Sequence, residues 1–209
     1  MTLNTLYLFF IASLLLNRTP GNDMIFVASR SLSQGTRAGY FSALGIFAGC
    51  FVHILAAIFG LSIIISKSAV LFEIIKYAGA GYLIYIGIKM LLTKNIQNVS
   101  TKGLTYQSNW SLFKQGTLTN ALNPKVAIFF ISFLPQFVDP QSPYLKIQLF
   151  TLGLWFAIQG TVVLLGVALV MGKTTNFLKQ NPTFWIWQER ITGMVLISLG
   201  IKLALTTRK

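Results

Sequence analysis

"LLLNRTPGNDMIF", Leu14 to Phe26, interrupts what would otherwise be a long apolar helix. Its middle holds an Arg, an Asp, two Asn and the two residues that most disfavour a helix, Pro20 and Gly21. The apolar piece upstream, Leu3 to Leu16, has 14 residues. As helix it covers about 21 Å, short of a bilayer core of about 30 Å. It needs the piece beyond Gly21 to finish a crossing, so the break is expected inside the membrane.

The rest of the chain explains why a membrane is the right solvent to consider. Of 209 residues, 54% are hydrophobic and only 10% charged, where a soluble domain carries about 25% charged residues. Tyr40 to Ile65 alone is long enough to span a bilayer, with His53 its only ionisable side chain. The net charge of +13 would suggest nucleic acid in a soluble protein. Here the Lys and Arg residues lie mostly between apolar segments, where the positive-inside rule accounts for them, and no nucleic-acid partner is expected. The single cysteine, Cys50, has no second thiol to pair with. One Cys and one His do not make a metal site, and no cofactor or metal is expected. Met1 to Leu16 resembles the core of a signal peptide, but no positive residue precedes it and no A-x-A pattern follows; it is read as retained.

Six membrane-crossing regions are expected, at roughly 3–30, 40–65, 70–92, 113–136, 147–171 and 184–206. The longest polar stretch, "TKNIQNVSTKGLTYQSNW" (Thr93 to Trp110), divides them into two sets of three. The chain thus reads as one all-α polytopic transport domain, 1–209. Repeat 1 covers about 1–92, a linker 93–112, and repeat 2 about 113–209. Residues 83–92, LIYIGIKMLL, and 196–205, LISLGIKLAL, agree at six of ten positions at an offset of 113, and the shared Gly-Ile-Lys is the informative part. At an offset of 104, Pro20 falls on Pro124, Phe26 on Phe130, Tyr40 on Tyr144 and Gly49 on Gly153. Three spans per half make the second half enter from the opposite side. Such inverted repeats are common in secondary transporters, with the substrate site at the repeat interface.

The fourth span repeats the interruption of the first, in "TLTNALNPKVAIFF". Helices 1 and 4 are therefore expected to break at Pro20-Gly21 and Asn123-Pro124. Each proline removes a backbone donor, freeing the carbonyl four residues earlier, here Leu16 and Asn120. Each following half-helix starts with unpaired N–H groups and partial positive charge. Two helix starts and two sets of freed carbonyls suit a small zwitterion. Packing alone is the competing explanation for any one proline kink.

Asp23 leads the candidates: in the first turn after the break it could bind a substrate ammonium, carry a coupling proton, or cap the half-helix. Arg18 and Lys125 could hold a substrate carboxylate, snorkel, or pair with Asp23. His53 could relay protons or hydrogen-bond between helices. Asn17, Asn22, Asn120 and Asn123 could satisfy loose backbone groups or line the site. Gly45 and Gly49, and Ala56 and Gly60, lie four apart, and Ala78 to Gly81 is a small-residue patch; all could allow close helix packing. Glu73 and Lys76 read as an i, i+3 pair near an interface.

These segments resemble the lysine-exporter (LysE/RhtB) family of bacterial inner-membrane amino-acid exporters over nearly the whole chain. "TPGNDMIFVASRSLSQGTRAGYFSALGIFAG" is similar to that family's Pro-Gly-Pro-Asp opening, basic loop and Gly-rich second helix. "YAGAGYLIYIGIKML" is similar to its third helix, and "FKQGTLTNALNPKVAIFFISFLPQFVDP" to its Asn-Pro-Lys segment. The resemblance implies export of amino acids or close derivatives, typically driven by protons, and marks Pro20, Gly21, Asp23, Asn123, Pro124 and Lys125. One departure is Asn22, where the family has its second proline; proline favours a first helical turn.

A lysine or arginine exporter must neutralise a second positive charge, yet the chain has only four acids. Neutral substrates such as threonine, homoserine or branched-chain amino acids are therefore favoured. The expected partners are such a solute, protons and the lipid bilayer, with homo-oligomers left open. A passive channel for small solutes or ions is the alternative; no acidic ring marks a cation pore. An enzyme is disfavoured, since no nucleophile–base or metal constellation appears, and a thiol-electron carrier lacks a partner for Cys50. Loops after spans one, three and five carry Arg30, Arg37, Lys94, Lys102, Lys114, Lys173 and Lys179, against Lys67, Lys146, Arg208 and Lys209 on the other side. That count favours both termini outside.

Overall fold

Both prolines end a helix where expected. In the computed structural model, which describes residues 3–61, 69–92, 104–139, 141–173 and 182–205, α1 (Leu3–Arg18) stops before Pro20 and α2 (Asn22–Gln34) starts after Gly21. A turn at Gly35, whose φ of 85° few side chains adopt, leads to α3 (Thr36–Ala56), which runs on into a π-helical turn, Ala57–Leu61. After α4 (Ala69–Leu92) comes α5 (Asn109–Ala121), opened by Ser108, whose side chain accepts from Ser111 N. Then α6 (Pro124–Ile128) continues through a π turn, Phe129–Phe133, and a 3-10 turn, Leu134–Phe137. Two long helices, α7 (Leu145–Lys173) and α8 (Pro182–Leu205), complete the described residues. No strand occurs among them. Residues 62–65 of the second expected span, 93–103 of the linker, and Lys67, Lys94, Lys102, Lys179, Arg208 and Lys209 of the charge count lie outside the described residues.

Among the described residues, three helices are long and apolar enough to cross a membrane: Thr36–Gly60, Glu73–Leu92 and Leu145–Lys173. A fourth span forms if α5 and the α6 segment, bent by 46° at the break, are taken together. The first expected span is not among them for a physical reason. Its upstream half is short, and α2 carries Asn22, Asp23, Ser29, Arg30, Ser31, Ser33 and Gln34. It is an amphipathic helix that buries one face, not a uniformly apolar one. In the sixth region, Gly193–Leu205 forms a shorter apolar helix among the described residues.

Glycine sets the tightest helix contacts. A Cβ on Gly45 would run into the carbonyl of Phe113, one on Gly49 into that of Thr117, and one on Gly116 into that of Ser42. So α3 and α5, from different halves of the chain, meet backbone to backbone, as small residues allow. By contrast Gly60 and Gly81, also candidates for close packing, face open space.

The α4–α8 pair has an internal symmetry. A Cβ on Gly87 would meet Gly193 O at 2.6 Å and Ile197 Cγ1 at 2.6 Å; one on Gly200 would meet Ala80 O at 2.8 Å and Ile84 Cγ1 at 2.7 Å. Adding 113 to Gly87, Ala80 and Ile84 gives Gly200, Gly193 and Ile197. The repeat offset thus exchanges one set of contacts for the other. Residues pair in opposite order along the two helices, so they run antiparallel about a local two-fold.

The apolar core sits where α1, α7 and the α6 segment converge. Phe129 stacks on Phe156 at 4.5 Å between ring centres and lies 6.2 Å from Phe9, while Phe133 and Phe137 close the cluster. Leu16 and Val126, beside the two breaks, belong to this core.

Candidate functional site

The two breaks face each other. In the first turn of α2, Asp23 accepts a hydrogen bond through Oδ2 from Asn120 Nδ2 of α5 at 2.8 Å. Lys125, in the first turn of α6, reaches back across the interface and donates to Thr19 O at 3.1 Å and Leu16 O at 3.4 Å. Its ammonium end lies over Gly21, where a Cβ would come within 3.2 Å of Nζ. Each half therefore sends one polar side chain to the broken helix of the other.

The freed carbonyls have specific owners. Leu16 O accepts from Thr19 N at 3.1 Å as well as from Lys125. Asn120 O accepts from Asn123 N at 2.9 Å and from His53 Nε2 at 2.8 Å, which puts a proton on that ring nitrogen. The expectation of two open carbonyl sets is thus not met: protein donors already hold both. Asn123 caps α6 by accepting from Lys125 N at 3.0 Å. Gly21 precedes α2 without any side-chain cap.

Between the breaks lies a cavity with about 30 Å³ open to the centre of a water molecule, lined by Asn17, Thr19, Asp23, Asn120, Lys125 and Gly160 on its polar side and by Ile46, Phe47, Cys50, Phe156 and Leu164 on its apolar side. That is room enough for water. Two buried oxygens at this site, Asp23 Oδ1 and Asn120 Oδ1, have no hydrogen-bond partner among the described residues. The site therefore offers two acceptors close together, one of them a carboxylate, beside one ammonium. Lys125 and Asp23 are not in direct ion-pair contact.

Of the candidates read from the sequence, Asn17, Asp23, Asn120 and Lys125 meet at the cavity, with Gly21 beneath Lys125. Asn123 is buried behind it as a cap. His53 is buried against Phe130, 5.8 Å between ring centres, and reaches the site only through Asn120 O. Arg18, Asn22 and Pro124 are exposed and do not line the cavity; Pro20 stands between Thr19 and Gly21 at the break. Glu73 and Lys76 do form an ion pair, at 2.6 Å.

Two polar residues here do not stand out as candidates in the sequence. Gln159 of α7 accepts from Ser13 Oγ at 2.8 Å and from Asn17 Nδ2 at 3.4 Å, and donates to Phe10 O at 3.3 Å. It fixes α1 against α7 just before the break. A glutamine in the middle of "LWFAIQGTVVLL" is costly in lipid, and that was the available signal. Thr19, 2% exposed, is the second.

The LysE type translocator family matches residues 14–207 of this chain. The uncharacterized membrane protein YrhP of Bacillus subtilis is 32% identical over 197 residues, covering 90% of this chain and 92% of that protein. A homoserine/homoserine lactone efflux protein of Salmonella typhimurium is 33% identical over 204 residues, covering 98% of each. A leucine efflux protein of Salmonella choleraesuis is 26% identical over 196 residues, covering 94% and 92%. No solved structure matches the chain.

Proposed function

The chain belongs to the LysE type translocator family, multi-pass transporters of the bacterial inner membrane and not enzymes, and from that premise we propose that it exports neutral amino acids or their close derivatives by proton antiport. One observation carries the reading. The two helix breaks are cross-linked at a single cavity by Asp23–Asn120 and by Lys125 on the end of α1. Asp23 Oδ1 and Asn120 Oδ1, both buried and without a partner among the described residues, accept from the substrate ammonium in this reading. Lys125 spends two donors on carbonyls and, with three available, keeps one for a substrate carboxylate. The names of the efflux relatives, homoserine, homoserine lactone and leucine, match a site with one carboxylate, since a second substrate cation would have no counter-charge there.

The exchange of α4–α8 contacts by the repeat offset supports an inverted two-fold arrangement. In it, α1 with α2, α3 and α4 form one half, and α5 with α6, α7 and α8 the other. Six crossings then surround a site that either half can uncover, the geometry of alternating access. Asp23, held by one neutral amide and not by Lys125, is the group that exchanges a proton for the substrate ammonium.

The test is transport in proteoliposomes: counterflow with a labelled amino-acid panel, and uptake after a pH jump, for wild type and Asp23→Asn. Exchange of neutral amino acids that responds to the proton gradient, with the response lost in Asp23→Asn, supports the reading. Folded wild type that moves no amino acid, or single-channel currents in its place, overturns it.

A further inference from the structure

The seam between α2 and α5 carries a second charge that the central site does not use. Arg30 lies seven residues beyond Asp23, about 10 Å further along α2 on nearly the same face. It is only 8% exposed. Its guanidinium donates to Gln115 Oε1 at 3.0 Å and to Thr105 O at 3.4 Å, and sits 5.8 Å from the centre of the Phe26 ring. Its Nε is buried with no partner among the described residues. Every one of these neighbours is neutral.

A framework of amides and hydroxyls surrounds it. Gln34 Nε2 donates to Gln107 O at 2.9 Å, Ser111 Oγ to Gln107 Oε1 at 2.8 Å, and Gln115 Nε2 to Ser111 Oγ at 3.1 Å. These bonds fix the guanidinium without neutralising it. No acid among the described side chains fills that role. Of four, Asp23 is a helical stretch away, bonded to Asn120; Glu73 pairs with Lys76; Asp139 accepts from Gln141 N. The fourth, Glu189, lies on α8, outside the described side chains. A buried cation without a counter-ion is among the costliest arrangements in a protein, and planar guanidinium is the group that best takes a carboxylate in bidentate fashion.

We propose that Arg30 is a carboxylate-binding station on the α2–α5 seam, where the α-carboxylate of the transported amino acid is held about 10 Å from the central cavity on its way to or from it. The proposal rests on the amino-acid export reading. Arg30 is not part of the central cavity's lining, so the station is a separate stop that both halves of the transporter contribute to, α2 from one and α5 from the other.

The deciding experiment compares each substrate with its carboxylate-free form, leucine with leucinamide and homoserine with its lactone, in proteoliposomes of wild type, Arg30→Gln and Arg30→Lys. Arg30→Gln is expected to raise KM for the free acids about tenfold or more while leaving the amide and lactone within about twofold. Arg30→Lys, which keeps the charge but loses the fork, is expected to fall between and decides the matter if Arg30→Gln does not fold. Equal loss for both forms of substrate means a structural or lipid-facing arginine and overturns the station, as does an unchanged KM for the acids. Wild type that moves neither form sinks the export reading itself, and the station with it.

Discussion

Lys125 Nζ donates to Thr19 O at 3.1 Å, so a cation from the second helix break closes the open end of the helix before the first. These residues are 106 positions apart in the chain. The contact makes the two breaks one structure: a movement of α6 away from α1 must first release it.

Replacing Lys125 with Met keeps the stem and removes the charge. Thr19 O then loses its side-chain donor, and the fold is expected to lose about 1–3 kcal/mol. Lys125→Arg keeps the charge and is expected to recover stability in part, limited by the bulk of a guanidinium over Gly21. Thermal unfolding in detergent reads stability, and counterflow reads whether transport falls with charge or with stability alone.

Asn120 offers a cleaner cut at the site. Asn120→Leu removes the amide that donates to Asp23 Oδ2 but leaves the backbone carbonyl that His53 holds. The expected result is a folded protein whose substrate KM rises about tenfold, the size of one hydrogen bond to a charged group. Asn123→Ala, three residues on, removes only the α6 cap. It is expected to cost about 0.5–2 kcal/mol of stability with a smaller change in KM.

How far such contacts can be read from the chain depends on their range. The breaks, the helices around them and Asp23 in a first turn follow from local signals, because proline, glycine and charge stand out in an apolar segment. Which partner takes a freed carbonyl does not. Leu16 O goes to Lys125 and Asn120 O to His53, and both pairings depend on how helices distant in sequence face each other. Arg30 reads as a loop charge in the sequence because composition alone cannot tell an amphipathic helix end from a loop. Its burial comes from α5 lying against α2. Gln34 and Gln107 matter for the same reason, and neither departs from what a polar segment ordinarily contains.

Among the described residues the His53 ring has one hydrogen-bond partner, Asn120 O, and it does not line the cavity. A hydrogen-bonding role predicts that His53→Gln retains gradient-driven transport and that His53→Leu loses it through lowered stability. A relay role predicts that both lose the gradient response while exchange persists. The geometry favours the first outcome, and pH-jump uptake beside counterflow separates the two.

The glycines sort by what faces them. Gly45→Ala and Gly116→Ala place a methyl against a backbone carbonyl that cannot retreat, and each is expected to destabilise by about 1–3 kcal/mol or more. Gly81→Ala meets nothing within 4 Å and gains helix propensity, so its stability is expected to be equal or higher. Unfolding midpoints of the three variants check this in a single series.

The α4–α8 pair gives the sharpest test of the internal two-fold. Gly87 and Gly200 occupy the same place in the two repeats, each opposite the carbonyl that the other's repeat supplies, Gly193 O at 2.6 Å and Ala80 O at 2.8 Å. Gly87→Ala and Gly200→Ala should therefore lower stability by similar amounts, about 1–3 kcal/mol each. Because the two sites share one helix interface, the double variant should depart from the sum of the singles. A variant that is silent while its counterpart is severe would mean that the repeat in the sequence is not expressed in the packing. Six crossings related by inversion would then lose the contact that best supports them.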